Sequence, residues 1–145
     1  MWATSLVTPQ GINSYRYYFL INVLLIVIVF AGSAIILSRI KPEFWYLLPL
    51  SPAVLLSLYI NWDMWGIIAA IAAIYFFDRE KYKQSAIWLS IGIATKFFPV
   101  VLLAPIILQF IRKQEKERAI KFLGLTTASW LAINLPFILM NFSGW

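Results

Sequence analysis

A chain of 145 residues is the size of one folding unit, and with 62% hydrophobic and 12% charged residues it cannot assemble a water-facing shell around so much apolar material. It contains neither cysteine nor histidine, which excludes disulfides, thiolate nucleophiles, the usual zinc sites and imidazole acid–base chemistry and leaves catalysis to carboxylates. The formal charge of +6 does not point to nucleic acid, because the basic residues fall in short connectors between apolar runs, where membrane-insertion orientation accounts for them.

These constraints predict an all-α integral membrane protein, a single polytopic helical bundle with the lipid bilayer as its solvent. The apolar runs lack the two-residue alternation of barrel strands. About six passes are expected, near 18–38, 44–60, 64–77, 85–96, 99–111 and 119–140. The first and last runs, Tyr18 to Ser38 and Ala119 to Met140, each suffice to span about 30 Å of hydrocarbon, and the last carries only Lys121, near its start.

The run from Ser85 to Ile111 is the informative one. As one straight helix it would put the basic loops 78–83 and 112–121 on opposite faces, against the inside bias of Lys and Arg. A break at Lys96 to Pro99 resolves this, because Pro99 removes a backbone donor and disfavours helical geometry at Phe98. Two short passes then meet there, and both loops face the cytoplasm of a multi-pass plasma-membrane protein. Pro105 is expected to act only as a kink.

Depth follows from length. Ser85 to Lys96 rises only about 16 Å as a helix, roughly half the hydrocarbon thickness, so an ammonium at Lys96 has to sit against protein or a watery recess. The run 64–77 is also short, which puts Asp63 at the wall of the same outward-opening recess. Two faces of small residues, Gly66, Ala69, Ala70 and Ala73 on one helix and Ala86, Ser90 and Ala94 on another, are expected to pack helices closely.

Five of the six acidic residues, Glu43, Asp78, Glu80, Glu115 and Glu117, fall in the cytoplasmic connectors of this topology, and only Asp63 faces outward. Asp63 could serve as a general base toward a hydroxyl, bind a sugar hydroxyl, hold a divalent cation, or pair with Lys96. Inserting Lys96 costs about 2.5–3.5 kcal/mol on translocon scales, so a partner must compensate for it. An internal carboxylate would do so, and so would a lipid phosphate, whose developing charge an ammonium stabilises as a glycosyl bond breaks.

Asn61-Trp62-Asp63 before a short helix, the basic loop after it, then Ala94-Thr95-Lys96-Phe97-Phe98-Pro99 resemble the family-87 glycosyltransferases, which have the GT-C fold. The tail, Asn134-Leu135-Pro136-Phe137 followed by Ser143-Gly144-Trp145, is similar to a late core helix and outer loop of that family. The resemblance implies transfer of a hexose, often mannose, from a polyprenyl-phosphate donor to an outer-face glycolipid or glycan. Lys96 would bind the donor phosphate and Asp63 would be the candidate catalytic carboxylate, with Asn61, Trp62, Phe97 and Pro99 lining the pocket. No resident metal or cofactor is implied beyond a divalent cation at Asp63. Family members place a carboxylate in a first outer loop, whereas this chain has no acidic residue before Glu43, and they are longer, so the chain is expected to be part of a larger enzyme. The alternative is a small membrane scaffold or accessory subunit, its protein partner unspecified, with a lipid-binding recess. A transporter with broken helices would need an internal repeat, and none is visible.

Overall fold

A computed structural model describes residues 14–52, 54 and 63–140. Every regular element among them is helical: α1 (Ser14–Ile40), α2 (Leu47–Leu50), α3 (Asp63–Asp78), α4 (Tyr82–Thr95), a 3-10 turn (Phe98–Leu102), α5 (Leu103–Arg112) and α6 (Lys116–Met140). Two of these, α1 with 27 residues and α6 with 25, are long and apolar enough to cross a membrane, at about 40 Å and 38 Å of helix. Their large side chains point outward, with Phe19 and Leu24 each 60% exposed on α1 and Leu139 76% exposed on α6. Exposed apolar surface of this kind marks a site of membrane or protein contact.

The segment expected to pass the membrane at 44–60 begins differently. Residues 42–46 form turns, α2 has only four residues, and Ser51 is extended (φ −71°, ψ 116°). The cause is local: Pro49 lacks a donor, and Pro52 drives the residue before it out of helical geometry. The rest of that expected pass lies largely outside the described residues.

The short helices form the centre. α3 packs on α4 and α1, and α4 packs on α6. The core comprises Ala73, Ala86, Leu89, Ile93, Ile106, Phe110, Ala119 and Phe122, while Ile26, Val29 and Met64 close a second cluster between α1 and α3. The small-residue faces do pack inward, with Gly66, Ala69 and Ala73 buried, but Ala72 is buried where Ala70 was expected. Hydroxyls join the helices where small side chains allow close approach. Ser85 Oγ donates to the Ala73 carbonyl at 2.8 Å, and the Ser90 hydroxyl is shared between the Thr126 carbonyl at 2.8 Å and the Ala86 carbonyl of its own helix at 2.7 Å.

Both connectors at one end of this bundle turn the same way. Glu80 (φ 58°) and Gln114 (φ 60°) occupy the left-handed region. In each turn the amide of the following residue reaches back five positions, Lys81 to the Phe76 carbonyl and Glu115 to the Phe110 carbonyl, both at 2.9 Å. This is a Schellman-type closure, made without the glycine that usually fills the left-handed position at least strain.

Beside these turns, Phe110 near the end of α5 meets Phe77 at 5.4 Å, Tyr82 at 5.0 Å and Phe122 at 5.8 Å between ring centroids. Phe77 ends α3, Tyr82 starts α4 and Phe122 lies in the second turn of α6, so the rings bring the two connectors to the same end. The chain therefore reverses between α4 and α5.

Candidate functional site

The reversal is built from residues 95–99. Thr95 Oγ1 turns back onto its own helix, donating to the Gly92 carbonyl at 2.9 Å and the Ile91 carbonyl at 3.0 Å. Lys96 then leaves helical geometry (φ −150°, ψ 130°), its amide still donating to the Gly92 carbonyl at 2.9 Å. Pro99 opens the 3-10 turn where a missing donor costs least, and Pro105 lies in the first turn of α5 for the same reason. Pro105 thus starts a helix without interrupting one.

Two glycines let the chain fold back so tightly. A Cβ added to Gly92 would lie 3.3 Å from Pro99 Cβ and Cγ and 3.3 Å from Ala69 Cβ, and one on Gly66 would lie 3.0 Å from the Phe98 ring and 3.1 Å from Lys96 Cβ. The break therefore rests on α4 through Gly92 and on α3 through Gly66. Since Gly66 lies one turn after Asp63, the same contact that seats the break also presents Lys96 to the start of α3.

There Lys96 Nζ lies 3.0 Å from Asp63 Oδ1, with the two side chains 37% and 38% exposed. Asp63 occupies the first turn of α3, where the positive end of the helix dipole also favours a carboxylate. The pairing, one of the alternatives open from sequence, is the arrangement found. α4 is 14 residues long, which places Lys96 about 21 Å from the basic end of the bundle.

The other expected site residues divide. Phe97 is 72% exposed, turned away from the packed side of the break. Pro99 is fully buried against Gly92 and acts as a wedge holding the reversal, so it does not line an open recess. Asn61 and Trp62 lie outside the described residues. Among the described residues no three potential metal ligands come together.

Sequence reasoning missed a second feature, at the opposite end. A cavity of about 370 Å³ between α4 and α6 is lined by Tyr82, Lys83, Arg118, Lys121, Phe122 and Leu125. Its signal was present in the spacing of Arg118, Lys121, Phe122 and Leu125, which share one face of α6.

Among the described residues the chain is thus all-helical, with two membrane-length apolar helices and a charge-paired helix break. Comparison with protein families, curated proteins and solved structures finds no match.

Proposed function

We propose that the chain forms the core of a polytopic membrane glycosyltransferase of the GT-C type. It transfers a hexose, with mannose the leading candidate, from a polyprenyl-phosphate donor to a glycolipid or glycan at the outer face of the plasma membrane. The observation that carries this reading is the Lys96–Asp63 pair, 3.0 Å apart with both side chains partly exposed, at a chain reversal that follows a helix of only 14 residues. The order of the Asn61-Trp62-Asp63 and Thr95-Lys96-Phe97-Phe98-Pro99 motifs, which resembles family 87, supports it. The basic loops 78–83 and 112–121 then face the cytoplasm together, as their shared end of the bundle favours.

In this reading the donor phosphate competes with Asp63 for Lys96. An acceptor hydroxyl oxygen attacks the anomeric carbon, the bond from that carbon to the phosphate oxygen breaks, and the released charge is stabilised by the Lys96 ammonium. Asp63, freed from the pair, accepts the hydroxyl proton. A resting ion pair keeps both charges compensated between turnovers, which an isolated ammonium at that depth could not manage without cost.

The test is sugar transfer from a radiolabelled polyprenyl-phosphate hexose in proteoliposomes containing the chain as part of the longer, active enzyme. Transfer that falls at least a hundredfold in Lys96→Ala, with donor affinity falling too, supports the reading. Donor affinity and turnover both unchanged in Lys96→Ala would remove the phosphate role.

A second reading, an accessory scaffold, is favoured by the closeness of the pair itself, since a carboxylate 3.0 Å away compensates the ammonium with no substrate. Native mass spectrometry from detergent separates the two. A scaffold retains a protein partner, whereas a transferase core retains polyprenyl phosphate.

A further inference from the structure

The cavity between α4 and α6 is lined almost wholly by apolar surface, from Tyr82, Phe122, Leu125 and the hydrocarbon stems of Lys83, Arg118 and Lys121, so the three charged ends belong to its rim. It opens at the end of the bundle where the 78–83 and 112–121 connectors together carry eight basic and four acidic residues.

The cations are available. Lys121 Nζ meets Glu117 Oε1 at 2.6 Å, but the side chains are 74% and 81% exposed, so the bond exchanges readily for another anion. Arg118 is held more firmly, by Glu115 Oε1 at 2.7 Å and over the Tyr82 ring at 5.7 Å. The pair with Glu115 engages Nη1, and the guanidinium carries further N–H donors from which an anion can accept.

We propose that this groove binds one anionic phospholipid of the leaflet beside the basic connectors, with the headgroup phosphate between Lys83 and Lys121 and an acyl chain along Phe122 and Leu125. The inference rests on the membrane-embedded reading given above and is independent of sugar transfer. Charge complementarity selects the occupant: a basic pocket between membrane helices at headgroup level suits an anionic lipid, each nearby cation adding favourable energy. An apolar wall below the cations is matched by a lipid tail, whereas inorganic phosphate would use only the rim. A volume of about 370 Å³ accommodates a phosphate ester and the first part of one chain.

The test reconstitutes the full chain in vesicles of phosphatidylcholine mixed with phosphatidylglycerol and reads retained lipid by native mass spectrometry. Sodium-carbonate extraction of the same vesicles reports whether the protein is embedded. The wild-type chain is expected to retain phosphatidylglycerol selectively, and Lys83→Ala/Lys121→Ala to bind it roughly thirtyfold more weakly. Lys113→Ala/Lys116→Ala, an equal charge change on an exposed connector, should retain it. Leu125→Trp, which fills the apolar wall and keeps every cation, should lose it, and added inorganic phosphate should not displace it. Equal loss in both double variants would reduce the effect to general surface charge and overturn the groove. Retention in Leu125→Trp, displacement by phosphate, or no selectivity in an embedded wild-type chain would also overturn it. Protein released by carbonate would instead overturn the membrane reading, and the groove with it.

Discussion

Lys96 and Asp63, 3.0 Å apart, join the end of one short helix to the start of another and so fix where the chain turns back. The pair acts as a structural clasp between the break and α3. Its environment is measurable. At an aqueous boundary such a pair contributes about 0–1 kcal/mol, whereas at hydrocarbon depth an uncompensated charge costs about 2.5–3.5 kcal/mol. In bilayers, Asp63→Asn alone is therefore expected to destabilise more than Asp63→Asn/Lys96→Gln, since the double variant removes the ammonium together with the carboxylate that compensates it. Equal unfolding midpoints for the two would place the pair in water.

The reversal predicts a labelling pattern that the absence of native cysteine makes simple to read. Single cysteines at Lys81 and Lys113 should react with a membrane-impermeant maleimide from the same side of sealed vesicles, and a cysteine at Phe97 should react from the other side or not at all. Lys81 and Lys113 reacting from opposite sides would be incompatible with the rings of Phe77, Tyr82 and Phe110 lying together.

Glycine positions should respond in opposite directions. Gly92→Val places branched carbons where a single Cβ already lies 3.3 Å from Pro99 and Ala69, and overpacking of this kind costs about 1–3 kcal/mol. Gly124 has nothing within 4 Å of an added Cβ. Gly124→Ala should be neutral or stabilising by up to about 1 kcal/mol, the helix-propensity difference. Thermal unfolding in detergent checks both, and a harmless Gly92→Val would mean that Pro99 does not need the space Gly92 leaves.

The hydroxyl bridge from α4 to α6 gives a smaller effect. Ser90→Ala removes a hydroxyl whose one proton is shared between the Thr126 carbonyl at 2.8 Å and the Ala86 carbonyl of its own helix at 2.7 Å, and should cost about 0.6 kcal/mol and no more than about 1.7 kcal/mol, the range for such bonds between membrane helices. Unfolding in mixed micelles measures it. Ser38→Ala, which loses only a bond within its own helix, to the Ile35 carbonyl at 2.7 Å, should cost less. The reverse ranking would remove Ser90 as a link between helices.

Composition and spacing determined the helical class and the site of the reversal. Apolar run length is a one-dimensional property, and Pro99 acts on its immediate neighbours through sterics that no tertiary contact is needed to set. The same arithmetic made Asp63 and Lys96 conspicuous, because so few charges lie outside the connectors. Tertiary structure decided what those residues touch. Of the partners open to Lys96 the fold supplied the carboxylate, and it buried Pro99 as a wedge where a pocket wall was expected. The left-handed turns at Glu80 and Gln114 carry no glycine to announce them, since the closing hydrogen bonds and ring packing around Phe110 select a strained conformation that local preference disfavours. The groove between α4 and α6 exists only once two helices distant in sequence lie side by side, because a cavity is a property of surfaces brought together in space.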